Sequence, residues 1–114
     1  MKIYHFIRED GKATVWVETD RSFYPLPHLI AHSTTGMDWG FGGKGPADTA
    51  LSMLADYFQE YPQLVSKDWR ETRSWLYHQD FKWAFLSNAT LGETFTIAEE
   101  RIKKWMEMSE GKTP

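Results

Sequence analysis

The sequence contains no cysteine, and this absence excludes several kinds of function. A disulfide framework, a thiol nucleophile and a cysteine-ligated metal site all require that side chain. The absence of disulfides is compatible with a reducing compartment, so we expect a cytoplasmic protein.

Long apolar runs and an excess of positive charge are also missing. The chain begins Met1-Lys2-Ile3-Tyr4-His5, without the apolar run of a signal peptide. No stretch approaches the roughly 20 apolar residues of a membrane span. The net charge of -3 disfavours nucleic acid as a partner. We therefore expect no membrane attachment, and a protein partner rather than a nucleic acid.

Hydrophobic and aromatic residues are plentiful. The 114 residues are 41% hydrophobic and 16% aromatic, with six tryptophans. A chain of this length and composition predicts one domain, residues 1–110, with a flexible tail at 111–114. Aromatic side chains fill cores and also anchor interfaces.

The first half of the chain predicts strands. Residues 2–18 have the pattern of a β-hairpin, because two β-branched and aromatic runs flank the turn pair Asp10-Gly11. Residues 19–27 are predicted to be a connection, in which two prolines permit at most an edge strand. A short third strand is predicted at 28–32.

A helix is predicted from Pro46, with Gly45 as its N-cap and Asp48 in its first turn. One face is apolar, and Pro62 is predicted to end the helix. The other face carries the polar residues Asp48, Ser52, Asp56, Gln59 and Glu60.

Two further helices are predicted less directly. Residues 68–87 fit either a helix or a strand at 81–86, and length without Gly or Pro favours the helix. The sequence Thr96-Ile97-Ala98-Glu99 matches a capping box and predicts that a last helix begins there. The expected fold is α+β: a small antiparallel sheet, made of the hairpin and the short third strand, packed against about three helices.

The glycine loop, residues 40–45, is the main candidate site. It satisfies G-x-G-x-x-G, but no buried strand precedes it and no βαβ unit surrounds it, so dinucleotide binding is not predicted. Glycine N–H groups leading into a helix N-terminus can bind an anion, and Lys44 adds positive charge. Asp48 in the first turn would compete for those donors. Alternatively, the glycines only let the loop pass close to the sheet.

Catalytic and metal-binding patterns are weak. His28 and His32 have the i, i+4 spacing of metal ligands on a helix, but the nearby prolines make a helix unfavourable. No nucleophile motif is present, and carboxylate pairs cannot be assigned from spacing alone. We predict no catalytic residues, no metal and no cofactor.

A basic edge is a second candidate surface. Lys67, Arg70 and Arg73 recur every three residues, with Trp69 and Trp75 between them. Such an edge could contact an acidic partner, or it could be a solvated face with the tryptophans packed inward. The complete set of candidate binding residues is His32, Trp39, Gly40, Gly42, Gly43, Lys44, Gly45, Lys67, Trp69, Arg70 and Arg73.

The sequence around the loop resembles a known family. His32-Ser33, Gly36 and Trp39-Gly40-Phe41-Gly42-Gly43-Lys44-Gly45-Pro46-Ala47 are similar to the signature of an uncharacterised family of short proteins associated with bacteria, phages and other mobile elements. The similarity extends through Tyr77, Phe81-Lys82-Trp83 and 96–105. Lys44 departs from the pattern, which has a small residue there, usually Ser. The resemblance implies a phage-type setting and a helix over 72–87, and it implies no reaction.

Three functional hypotheses follow. The first is a non-enzymatic binding protein of phage or mobile-element type that occupies a host protein in the host cytoplasm, for example a defence factor. The second is a site for a small anion or nucleotide, with His32 and Lys44 on the anion and Trp39 stacked on an apolar group. The third is a structural homodimer.

Overall fold

We describe the fold from a computed structural model, in which residues 1–61, 68–88 and 94–111 are described. The strands are β1 (Ile3–Glu9), β2 (Lys12–Glu18), β3 (Phe23–Pro25) and β4 (Phe95–Ala98). The helices are α1 (Lys44–Phe58), α2 (Arg73–Phe81) and α3 (Glu99–Gly111). The strands form one antiparallel sheet in the order β3-β2-β1-β4. The α+β prediction is confirmed.

The predicted hairpin is present. Glu9 pairs with Lys12, and the two turn residues Asp10 and Gly11 have φ of 51° and 77°. Positive φ at both positions is what a two-residue type I′ turn requires. Alternate side chains of the hairpin enter the core, namely Tyr4, Phe6, Val15 and Val17.

The predicted third strand at 28–32 is wrong. The third strand is Phe23–Pro25, at the edge of the sheet. Pro25 has no backbone N–H to donate, and an edge strand tolerates this because one of its sides is not paired. The backbone of 28–33 instead donates hydrogen bonds to side chains of α1. Leu29 N donates to Ser52 Oγ at 2.9 Å, and His32 N donates to Asp48 Oδ1 at 2.9 Å.

Strand β4 was not predicted, and the prediction of a capping box at 96–99 is wrong. Thr96 pairs with His5 across β1 and β4, so it lies in a strand and does not cap a helix. Phe95 stacks on Phe6 at 4.4 Å between ring centroids, and Ile97 is buried. The last helix therefore begins at Glu99, three residues after Thr96.

Helix α1 is buried on all sides. It begins at Lys44, two residues before the predicted start, with Gly43 as N-cap, and ends at Phe58. Every residue from Gly45 to Asp56 is buried, so three of the polar residues predicted to face away from the core, Asp48, Ser52 and Asp56, are enclosed by other elements. Gln59, beyond the end of the helix, is exposed as predicted. Pro62, the predicted helix end, lies outside the described residues.

Most of 68–87 is helical, as predicted. A 3-10 turn (Trp69–Glu71) leads into α2, whose N-cap Thr72 accepts a hydrogen bond from Trp75 N. Helix α2 continues into a π-helical turn, Lys82–Leu86. Helix α2 packs on α1, and Ile102 and Met106 of α3 join the same core. Of the predicted tail 111–114, Gly111 is the last residue of α3, and 112–114 lie outside the described residues. Among the described helices, none is long and apolar enough to cross a membrane.

Candidate functional site

The glycine loop is held between the π turn and the start of α1. Gly40 has φ of 94°, and its N–H donates to the carbonyl of Leu86 at 2.8 Å. A Cβ on Gly42 would lie 2.6 Å from the Trp83 ring, and one on Gly45 would lie 2.8 Å from Asp38 Cβ. The loop therefore approaches its neighbours more closely than a side chain would allow.

A cavity of about 200 Å³ lies where the loop meets α2. Its lining is His32, Gly42, Gly43, Lys44, Ala47, Gln79 and Lys82. Four of the predicted site residues meet here: His32 from one stretch of the chain, and Gly42, Gly43 and Lys44 from another. We call this cavity the glycine-loop pocket.

Three residues of the pocket, Ala47, Gln79 and Lys82, were not predicted, and Lys82 is the charged one among them. Its side chain is only 6% exposed, its Nζ donates to the Gly42 carbonyl at 3.3 Å, and the ammonium lies 4.4 Å from the Trp83 ring centroid. Among the described residues, no carboxylate forms an ion pair with it. A buried ammonium is costly unless an anion compensates it. The only sequence hint was its place between two aromatic residues.

His32 is paired with His78 of α2. Their Nε2 atoms are 3.1 Å apart, and His78 Nδ1 donates to the carbonyl of Trp75. When both rings are neutral, that bond leaves His78 Nε2 as an acceptor, so His32 Nε2–H is the donor. Burial lowers the pKa of His78, and nearby His32 and Lys82 lower it further. The pair thus favours the neutral form of His78.

Asp48 fixes the backbone beside the pocket. Its carboxylate is fully buried and accepts hydrogen bonds from the N–H groups of His32 and Ser33 at 2.9 and 3.0 Å, and from His28 Nε2 at 2.8 Å. The prediction that Asp48 lies in the first helical turn is wrong, because α1 begins at Lys44. Its acceptors are occupied by the loop at 28–33, so the expected competition with an anion at the helix N-terminus does not arise.

The i, i+4 spacing of His28 and His32 does not bring the two imidazoles to a common point. His28 binds Asp48 and His32 binds His78, so the two imidazoles serve different partners. In the part of the chain that the structure describes, no three His, Asp or Glu side chains are grouped to hold a metal ion.

Trp39 is a core residue in this fold. It is completely buried, its ring meets Phe6 and Phe95 edge-on at 5.4 and 5.7 Å, and the Arg8 guanidinium lies 4.8 Å from its centroid. No face of the ring is open for the predicted stacking on a ligand. The exposed aromatics at the loop are Phe41 and Trp83, at 44% and 57% exposure.

The predicted basic edge is only partly described. Lys67 lies outside the described residues. The Arg70 guanidinium lies 5.3 Å from the Trp69 ring, and the Arg73 guanidinium 4.3 Å from the Phe58 ring. Trp69 meets Trp75 edge-on at 5.2 Å, and Trp75 in turn stacks on His78. A row of aromatic rings therefore connects Trp69 to the glycine-loop pocket, but neither Arg70 nor Arg73 is among the described residues that line it.

With this geometry in view, the comparison with family models is informative. One model matches residues 4–108, which takes in every element that builds the pocket. The chain belongs to DUF6166, a family of unknown function. No curated protein and no solved structure matched the chain. Membership of DUF6166 agrees with the expected resemblance to an uncharacterised family, and it assigns no reaction, partner or source.

Proposed function

We propose that this member of DUF6166 is a non-enzymatic binding protein whose glycine-loop pocket holds the anionic group of a small ligand. The observation that carries the proposal is the buried ammonium of Lys82, which lines the pocket and has no described carboxylate partner. A bound phosphate or carboxylate would supply the missing negative charge.

The rest of the pocket suits the same kind of group. The N-terminus of α1 carries partial positive charge, and its first residue, Lys44, adds a full one. His32 also lines the cavity. At about 200 Å³ the cavity fits a phosphate or a small carboxylate, whereas a nucleoside would have to lie outside it, against exposed Phe41 or Trp83. Aromatic faces of this kind stack on bases without regard to sequence.

Thermal denaturation with a panel of ligands tests the proposal. Inorganic phosphate, acetate, AMP and ATP are compared with a chloride control at equal ionic strength. A ligand at 100 times its Kd should stabilise the protein by about 2.7 kcal/mol. The Lys82→Met variant should lose the shift. If no phosphorylated or carboxylated compound raises the melting temperature, the pocket is not an anion site.

A second candidate function is an accessory role in a phage or mobile element, in which the protein occupies a host protein in the host cytoplasm. An inhibitor of a host defence factor is one such role. The resemblance of the loop sequence to mobile-element proteins supports it, as does the exposed pair Phe41 and Trp83, which flanks the loop. Large aromatic residues at a surface are typical interface anchors, and the net charge of -3 favours a protein partner over nucleic acid.

Affinity capture from host lysate tests this second function. Wild-type protein should retain a specific protein that Trp83→Ala does not. Leu76→Ala, at a position of α2 that is 66% exposed against 57% for Trp83, should retain it. Sedimentation of the purified protein separates the homodimer alternative: a dimer that dissociates in Trp83→Ala would mean that this surface binds a second copy of the chain. Capture that is the same in all three proteins would contradict a role for Trp83.

A further inference from the structure

Another cavity lies at the other end of α1, around Asp56. This carboxylate is 1% exposed and accepts four hydrogen bonds from side chains. Lys2 Nζ and Tyr4 OH donate to Oδ1 at 2.9 and 2.6 Å. Tyr24 OH and Tyr61 OH donate to Oδ2 at 2.6 and 3.1 Å.

The cavity, of about 310 Å³, opens beside this network. Its lining is Tyr24, Pro27, Leu29, Asp56, Gln59 and Tyr61. Both phenols that bind Oδ2 line it, whereas Lys2 and Tyr4, which bind Oδ1, do not. The compensating lysine charge therefore lies on the far side of the carboxylate.

The two phenol oxygens that line this cavity are arranged as acceptors. The protons of Tyr24 and Tyr61 are committed to Asp56, and burial together with that carboxylate raises the pKa of both phenols, which keeps them neutral. Gln59 Nε2 donates one hydrogen bond to the Asp56 carbonyl at 2.6 Å, which leaves its side chain one further N–H and its amide oxygen. A phenol oxygen whose O–H donates a hydrogen bond can still accept another hydrogen bond through its lone pairs.

We propose that this cavity binds a primary alkylammonium group, as a free amine or as a lysine side chain. The ammonium donates to the oxygens of Tyr24 and Tyr61 on the Oδ2 side of Asp56, and its methylene chain lies against Pro27 and Leu29. An anion would meet a carboxylate and acceptor lone pairs, and a neutral alcohol has one donor where the ammonium has three. The site is separate from the glycine-loop pocket and does not depend on the function proposed for it.

Titration followed by amide NMR tests the proposal. The probes are n-butylammonium, N-acetyl-lysine methylamide, n-butanol and butyrate at constant ionic strength. For so small a ligand we expect a Kd on the order of 1 mM. The amide signals of Leu29 and Gln59 should shift saturably with butylammonium, more weakly with butanol and not with butyrate. The lysine derivative distinguishes a free amine from a lysine side chain as the ligand. Because it carries peptide groups on both sides of its Cα, it binds only if the cavity admits a side chain that is attached to a backbone.

A pair of charge variants supplies the control. Leu29→Lys places an ammonium in the lining of the cavity and should weaken butylammonium binding at least fivefold, by occupancy and repulsion. Ile30→Lys adds the same charge at the next residue, which is 64% exposed and does not line the cavity, and should leave binding unchanged. Equal effects of the two variants, saturable binding of butyrate, or no saturable shift with either amine would each overturn the proposal and leave Asp56 with a structural role alone.

Discussion

The ammonium group of Lys82 lies 3.3 Å from the carbonyl oxygen of Gly42. Forty residues separate the two positions in sequence, and their contact joins the π turn after α2 to the glycine loop before α1. The Gly40 N–H bond to Leu86 makes a second link between the same segments. The loop conformation and the buried positive charge are therefore parts of one arrangement. Single π turns inside helices are often found at functional sites.

Replacing Lys82 by methionine should separate stability from binding. Met has a similar length and no charge to bury, so we expect Lys82→Met to raise the free energy of unfolding by about 1 kcal/mol while it removes the anion-dependent shift. Urea denaturation with and without phosphate measures both effects. Lys44→Met, at an exposed position, should change stability by less than about 0.5 kcal/mol. A strongly destabilised Lys82→Met would show that the ammonium supports the fold and is not held for a ligand.

Asp48→Asn should destabilise the protein by about 3 kcal/mol, because the amide NH₂ would face backbone N–H groups that now donate to a carboxylate. Chemical denaturation measures the loss. Ser52→Ala is the milder variant for comparison. It removes the acceptor of one backbone N–H, that of Leu29, and should lower the free energy of unfolding by about 1 kcal/mol. If both variants cost the same, the carboxylate does not organise the 28–33 segment as described.

Gly45→Ala should destabilise the protein by about 2 kcal/mol, even though alanine favours a helix over glycine. The added Cβ would lie 2.8 Å from Asp38 Cβ, and Asp38 is held by its ion pair with Arg8. At Gly43 the nearest atoms belong to the exposed ring of Phe41, which can rotate away, so Gly43→Ala should cost less than about 1 kcal/mol. Thermal denaturation ranks the two, and the reverse order would contradict the close approach at residue 45.

Acidification should weaken the fold through His78. Its pKa is lowered in the folded state, so the unfolded chain binds more protons below its ordinary value of 6.5. The contribution of His78 to stability is therefore complete above pH 6.5 and is lost as the pH falls through the folded-state pKa, by at most about 1.4 kcal/mol per pH unit. The groups around it are His32, Asp48 and Lys82.

Urea midpoints at pH 7.5 and 5.5 measure this effect in wild type and His78→Gln. The variant loses a hydrogen-bonded ring and should be less stable at pH 7.5 by about 1 kcal/mol. Its stability should depend less steeply on pH over the same interval. A variant with the wild-type slope would assign the pH dependence to another group.

Local patterns in the sequence were sufficient for part of this fold. Asp10-Gly11 defines the hairpin because positive φ at two adjacent positions is needed in so short a turn, and few other residue pairs allow it. The start of α1 was predicted within two residues, since Pro46 fits only the first turn of a helix. The glycine loop was identified as a site for the same reason: its residues are chosen for backbone shape.

Tertiary structure decided what local patterns could not. Thr96 has both a strand and a helix-cap pattern, and pairing with His5 selects the strand. Asp48 and Asp56 lie on what looks like a polar helix face, yet both are buried, because donors from residues 2–33 and from Tyr61 compensate them.

The composition and turn chemistry of the sequence by themselves determined an α+β domain with a glycine-rich loop ahead of a helix. Only the tertiary structure placed Lys82 beside that loop and gathered three phenols around Asp56. The physical reason is that burial and charge compensation depend on residues far apart in the chain, and no spacing along the sequence records them.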